Sequence, residues 1–274
     1  MSEGDKAPAV RSLQRYLEQL GYLRLGNATQ VISEEDVEGA YDRVAIEGTF
    51  DEATIAALAH YQRFFKLLQT GELDETTLTH MRRPRCGNPD ILPKNILKSE
   101  QNLIANPWDK NNLSFCVPNL PSEAQEPDLN TLEKCRDAFH RGFSIWSGES
   151  NIPIRFHLSQ AGEVCDIRIT FGIPQCGGDA CTDCPPDGTP LGMLYDLREK
   201  WSRNPPPDPE PIDIIAFGCH EVGHALGLCR HSRNEDAIMY SIIPNLKRHL
   251  LGNGDDNDVD RIRAIYGVSL KEQI

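Results

Sequence analysis

"HEVGHALGLCRH", His220–His231, sets two histidines four residues apart and a third seven residues further on. On a helix, positions i and i+4 share a face, so His220 and His224 project together and can hold one metal ion. Glu221 is one step round the helix. That is a poor place for a ligand of the same ion and a good one for taking a proton from a water the ion activates. Gly227 permits the left-handed turn that ends a helix, after which the chain can bring His231 back as a third ligand. Three neutral imidazoles leave a fourth position open, the pattern of a catalytic rather than a structural zinc site. A lone histidine is most often a satisfied core or surface residue. Five fixed residues over twelve positions are another matter, with a chance expectation on the order of 10⁻⁵ to 10⁻⁴ per chain of this composition.

Working outward, "LSFCV" (Leu113–Val117), "IRFHL" (Ile154–Leu158) and "DIRITF" (Asp166–Phe171) read as strands, the last two with period-two alternation. Leu132, Cys135, Phe139, Phe143 and Trp146 mark one face of a long helix. After a cysteine- and glycine-rich loop and the stiff "PPPDPEP" come an apolar helix from about Ile212 and a last one near Val259, Ile262 and Ile265. This order suggests an α/β (α+β) sandwich over residues 108–274, without regular βαβ alternation.

The histidine motif resembles that of the metzincins, and "HSRNEDAIMY" (His231–Tyr240) resembles the matrix metalloproteinases, or matrixins. In that family a methionine turn, here Met239, lies under the zinc histidines. "DVDRIRAIYG" (Asp258–Gly267) looks like the family's closing helix and "DIRITF" like its sheet signature. The resemblance implies a catalytic domain with a mixed twisted sheet and three helices. It also implies a zinc metalloendopeptidase acting on protein or peptide substrate, with His220, His224 and His231 on zinc and Glu221 as general base.

Before this domain, Val10, Leu13, Leu17 and Leu20 form a helix face that stops at Gly21, and Asp51 and Asp74 each open a further helix with an Asp-Glu start. An acidic, weakly patterned insert lies between the first two, at about Asn27 to Gly48. Residues 1–83 thus read as a small three-helix all-α module. "GTFDEATIAALAHYQRF" resembles the peptidoglycan-binding-like fold of matrixin propeptides. Residues 84–107, with prolines at 84, 89, 93 and 107, are the linker.

The linker begins with "PRCGNPD" (Pro84–Asp90), which resembles the matrixin cysteine switch. Cys86 is then a thiolate filling the open zinc position in a latent form. Thiolate is a strong zinc ligand, Gly87 lets the backbone approach closely, and Pro84 and Pro89 restrict the loop. By itself a cysteine is more often a disulfide partner. The other class of function open to the module is anchorage on peptidoglycan, which the switch motif disfavours.

Other signals bound the reading. The net charge of −13 argues against nucleic acid or an anionic membrane surface as partner, and no apolar run is long enough for a membrane span. A monomer is expected. Nine cysteines and the family point to an extracellular protein, yet the polar N-terminus shows no secretory signal. Either a signal was removed, or export is non-standard, or the cysteines are reduced or bind metal.

The sequence also departs from the family. A histidine-rich stretch for a second zinc is missing between Phe171 and Trp201, where "CGGDACTDCPPDGTPLG" stands instead. Disulfides from Cys176, Cys181 and Cys184 to Cys116, Cys135 or Cys165 are preferred over an incomplete zinc knuckle. Cys219 and Cys229 are expected to be buried, inert thiols. Asp187, with Asp196 and Glu199 in "YDLREKW", matches the family's calcium positions, although acidic loop residues are mostly just solvated. Ser241 replaces the proline usual after the Met-Tyr pair.

Overall fold

A computed structural model describes residues 8–26, 44–92, 108–121, 128–160, 163–184, 190–207 and 210–267. The chain divides into two compact units. The first runs to Arg83 and resumes at Asn88; the second takes Pro84–Gly87 and the rest of the chain.

In the first unit, α1 (Pro8–Gln19) buries Val10, Leu13 and Leu17, and Gly21 turns the chain at φ 86°. Helices α2 (Glu52–Phe64) and α3 (Glu75–Met81) both begin at an aspartate cap. Asp51 accepts from the Thr54 amide at 2.9 Å and Asp74 from the Thr77 amide at 2.7 Å. Such a cap typically contributes about 1 kcal/mol. Two buried glutamines repeat one device. Gln14 Nε2 donates to Thr49 O and Thr54 Oγ1 while its Oε1 accepts from Gly48 N. Gln62 Nε2 donates to Glu72 O and Thr77 Oγ1 while its Oε1 accepts from Gly71 N. Each amide is fully used, so burying it carries little penalty. The three helices match the all-α expectation, with one addition: a short parallel pair, β1 (Arg24–Gly26) and β2 (Val44–Ile46). Most of the acidic insert between them lies outside the described residues.

The second unit carries a mixed sheet of five strands: β3 (Asn112–Cys116), β4 (Arg155–Leu158), β5 (Ile167–Gly172), β6 (Ala180–Thr182) and β7 (Leu191–Asp196). Their order is β4-β3-β5-β7-β6, and only β6 is antiparallel to its neighbour. Alternation decides the faces: Ile167, Ile169 and Phe171 are buried, and Arg168 between them is exposed. A short parallel pair, β8 (Trp201–Ser202) and β9 (Ile212–Asp213), leads into the metal-site helix. Strands β6 and β7 lie where the sequence reads only as a loop. Leu191, Met193 and Tyr195 do alternate, but Pro190 and Gly192 mask the pattern.

Helix α4 (Leu132–Glu149) packs closely on α5 (Ile214–Ala225). A Cβ on Gly142 would lie 2.9 Å from the backbone of Gly218 and Cys219, so the two helices approach at a glycine. Trp146 Nε1 donates to Cys219 O at 2.7 Å across the same interface. Helix α6 (Asp258–Tyr266) follows, capped by Asn257 and closed by Gly267 at φ 67°. Among the described residues no helix is long and apolar enough to cross a membrane.

Three disulfides join Cys116 to Cys165, Cys176 to Cys181, and Cys184 to Cys229. Disulfides therefore occupy the cysteine-rich loop, but two expectations are corrected. Cys176 and Cys181 pair with each other, and Cys229 is not an inert thiol. The turn after α5 brings it within 5.3 Å, Cα to Cα, of Cys184. Cys135 and Cys219 are buried thiols, and burial raises the pKa of both.

Candidate metal centre

Asp213 anchors the start of α5. Its carboxylate caps the amides of Ile215 and Ala216 at 2.9 and 3.1 Å and pairs with Arg248 at 2.8 Å. Every residue of the helix is buried. His220 and His224 sit one turn apart on it, and each Nδ1 bonds to a backbone carbonyl at 2.7 Å, that of Ile238 and that of Leu228. Those bonds fix the tautomers and aim both Nε2 atoms at a common point. The helix stops at Gly227, φ 104°, and Gly227 N and Leu228 N close its end on His224 O and Gly223 O. The turn returns His231 to the site.

His220 Nε2 lies 3.2 Å from His224 Nε2, which lies 3.3 Å from His231 Nε2 and 3.4 Å from Cys86 Sγ. All four ligand atoms fall within 4.8 Å of one another, and all four residues are buried. Nitrogens held at about 2.0–2.1 Å from one zinc in a tetrahedron stand about 3.3–3.4 Å apart, so this donor set fits the ion. Burial, and then the neighbouring imidazoles, push the pKa of His220 and His224 well below the ordinary value. Such imidazoles stay neutral, as metal ligands must.

Met239 lies beneath the helix. A Cβ on Gly223 would come 2.2 Å from its Sδ and 2.8 Å from Trp146 Cζ2, so only glycine fits there. The methionine turn is held by Asp258, whose carboxylate accepts from the amides of Ile238, Met239 and Leu251. Asp258 thus fixes the carbonyl that orients His220. No spacing in the sequence signals this role, because the contact spans 20 residues and joins two irregular turns.

Glu221 is buried beside the histidines, and its Oε2 accepts from Thr182 Oγ1 at 2.6 Å. Burial pushes its pKa up to about 7, with Thr182 and the nearby Cys86 thiol pulling the other way. Thr182 is a second residue that sequence reasoning missed, as it lies in an unrecognised strand.

The segment around Cys86 is seated by backbone on both sides. Cys86 N donates to Ser241 O at 2.9 Å, Ile243 N to Pro84 O at 3.0 Å, and Gly87 N to Ala180 O at 2.7 Å. Asp179 grips Arg85 twice, accepting its amide at 2.8 Å and donating to its carbonyl at 2.9 Å. A Cβ on Gly87 would meet Cys176 Sγ at 2.4 Å. Burial raises Asp179 to a pKa of about 7, and the charges of Glu199 and Asp196 add to the rise.

Of the three residues matched to calcium, the structure describes Asp196 and Glu199. Asp187 lies outside the described residues. Asp196 is taken up by Arg198, whose Nε donates to it at 2.9 and 3.1 Å. Burial, then the Asp196 and Glu210 charges, raise the pKa of Glu199. Among the described residues, the histidine–cysteine cluster is the one group of three or more His, Cys, Asp or Glu side chains placed to share an ion.

The mixed sheet, the histidine helix and the methionine turn together define a catalytic domain of the metzincin type. Residues 107–267, more than half the chain, match the family described as "Matrixin", and residues 6–81 match "Putative peptidoglycan binding domain". The chain belongs to the matrixin family. It is 28% identical to Metalloendoproteinase 5-MMP of Arabidopsis thaliana, over 96% of this chain and 72% of that protein. It is 29% identical to Interstitial collagenase B of Mus musculus (95% and 50%) and 31% to Matrix metalloproteinase-19 of Homo sapiens (92% and 44%). The chain therefore spans about half the length of the two mammalian relatives.

Proposed function

We propose that this protein is a latent, extracellular zinc metalloendopeptidase that cleaves peptide bonds in proteins. The observation that carries the reading is the convergence of Cys86 Sγ and three histidine Nε2 atoms within 4.8 Å, beside a buried carboxylate. His220, His224 and His231 hold the zinc, and Cys86 is its fourth ligand in the latent form. Bound there, zinc supplies Lewis-acid polarisation of the scissile carbonyl and a lowered pKa for water. Glu221 takes the proton of the attacking water and passes it to the leaving amine. Met239 and Gly223 keep the helix at a fixed height over its support, so the histidines stay aligned.

Latency follows from competition. Water and substrate need the position that Cys86 takes, and the chain tethers Cys86 at high effective concentration. Cutting the linker ends the tethering. The expected cut lies between Ile91 and Trp108, a stretch mostly outside the described residues. The protein works as a monomer, and calcium at Asp187, Asp196 and Glu199 belongs to this reading only if Arg198 releases Asp196. Zinc analysis with peptide hydrolysis before and after linker cleavage tests the proposal. One zinc per chain, with activity appearing on cleavage, is expected; a zinc-free protein, or one inactive in both states, contradicts it.

The match over residues 6–81 supports a second reading, in which the first unit anchors the protein on murein. Sedimentation of the full chain with purified peptidoglycan separates the two, and we expect no binding.

A further inference from the structure

We propose that Thr182 is a positioning residue, whose hydroxyl fixes the Glu221 carboxylate in the orientation from which Glu221 moves its proton. The inference rests on the peptidase reading given above. Thr182 ends β6, where Ala180 and Thr182 are buried and Cys181 between them is half-buried. Its Oγ1 stands 2.6 Å from Glu221 Oε2, the short distance of a hydroxyl donating to a charged acceptor. A hydroxyl has one proton to give, and threonine's branched side chain is stiff at χ1, so the donor direction is set before any substrate arrives. Oε2 is thereby engaged. Among the described residues Oε1, also buried, makes no hydrogen bond, and it is the oxygen left to take a proton once Cys86 has been replaced or has withdrawn.

The strand is held independently of this bond. Thr182 is in register with Met193 of β7. Cys181, just before it, is bonded to Cys176, and Cys184, two residues beyond, is bonded to Cys229 in the turn between α5 and His231. Covalent ties thus bracket Thr182 and fix β6 beside the helix that carries Glu221. The hydroxyl can be removed without moving the backbone, because valine has the same shape.

The test compares Thr182→Val and Thr182→Ser in the full chain carrying Cys86→Ser. Thr182→Val should lower kcat about ten- to hundred-fold, the effect of losing one hydrogen bond to a charged group. KM should change less than about two-fold, and zinc content and Tm should match the parent. Thr182→Ser should restore most of kcat. An unchanged kcat in Thr182→Val, a serine variant as slow as the valine one, or a loss explained by lower zinc content would each overturn the assignment. If the parent is inactive both as Cys86→Ser and after linker cleavage, the peptidase reading fails first and this inference fails with it.

Discussion

Cys86 Sγ lies 3.4 Å from His224 Nε2, across 138 residues of sequence. Backbone pairing puts it there: Ala180 O receives the Gly87 amide on one side, and Ser241 O receives the Cys86 amide on the other. The thiol is therefore delivered by a segment that is itself docked, rather than by a loose loop that visits the site.

Glu221→Gln should keep zinc and lose nearly all peptidase activity, since the ligands remain and the base does not. Acid–base assistance alone is worth about 10²–10⁴-fold. Metal analysis and kinetics on the linker-cleaved variant check this, and a rate near wild type would remove Glu221 from the mechanism.

Gly87→Ala should loosen the docked segment. The added Cβ would meet Cys176 Sγ at 2.4 Å and Gly178 N at 2.7 Å, both within the loop closed by the Cys176–Cys181 disulfide. The uncleaved variant should hydrolyse peptides measurably, while the cleaved variant matches cleaved wild type. An unchanged ratio of uncleaved to cleaved activity would count against the seating described.

The Cys184–Cys229 disulfide should be found by mass mapping of unreduced peptides from secreted protein. Its loop spans 45 residues, for which chain entropy gives about 4 kcal/mol of stabilisation. Replacing both cysteines by serine should lower Tm by several degrees or more. Recovery of the two as free thiols would contradict the pairing.

Asp166 supplies a pH dependence. Burial alone would raise its pKa, but hydrogen bonds from Lys110 Nζ and from the amide and hydroxyl of Ser114 outweigh it and hold the carboxyl below the ordinary value. A folded pKa below the unfolded one gives stability that is present above the unfolded value, about 3.9, and lost as pH falls through the folded value. Asp166→Asn should therefore lower Tm more at pH 6 than at pH 3, where part of that stability has already been lost. An equal loss at both pH values would show that shape rather than charge is at stake.

What could be read from the sequence was what local rules encode. His220 and His224 are one helical turn apart, Asp51 and Asp74 are caps three residues from the amides they satisfy, and "DIRITF" alternates as a half-buried strand must. The clustering of Cys86 with the histidines was anticipated from a motif, not from any local rule. Contacts between distant, irregular segments were not legible. Thr182 reaches Glu221 across 39 residues from a strand that glycine and proline conceal. Cys229 reaches Cys184 only because Gly227 turns the chain there. Asp258, read as part of a closing helix, in fact braces the methionine turn.

The most direct measurement is zinc X-ray absorption on the uncleaved chain and on Cys86→Ser. The account predicts a first shell of three nitrogens and one sulfur in wild type, with the sulfur at about 2.3 Å. In Cys86→Ser the sulfur should be replaced by a light atom, and that protein should be active without processing. A wild-type shell of nitrogen and oxygen only, with no sulfur, would contradict the claim that Cys86 holds the enzyme latent through the metal.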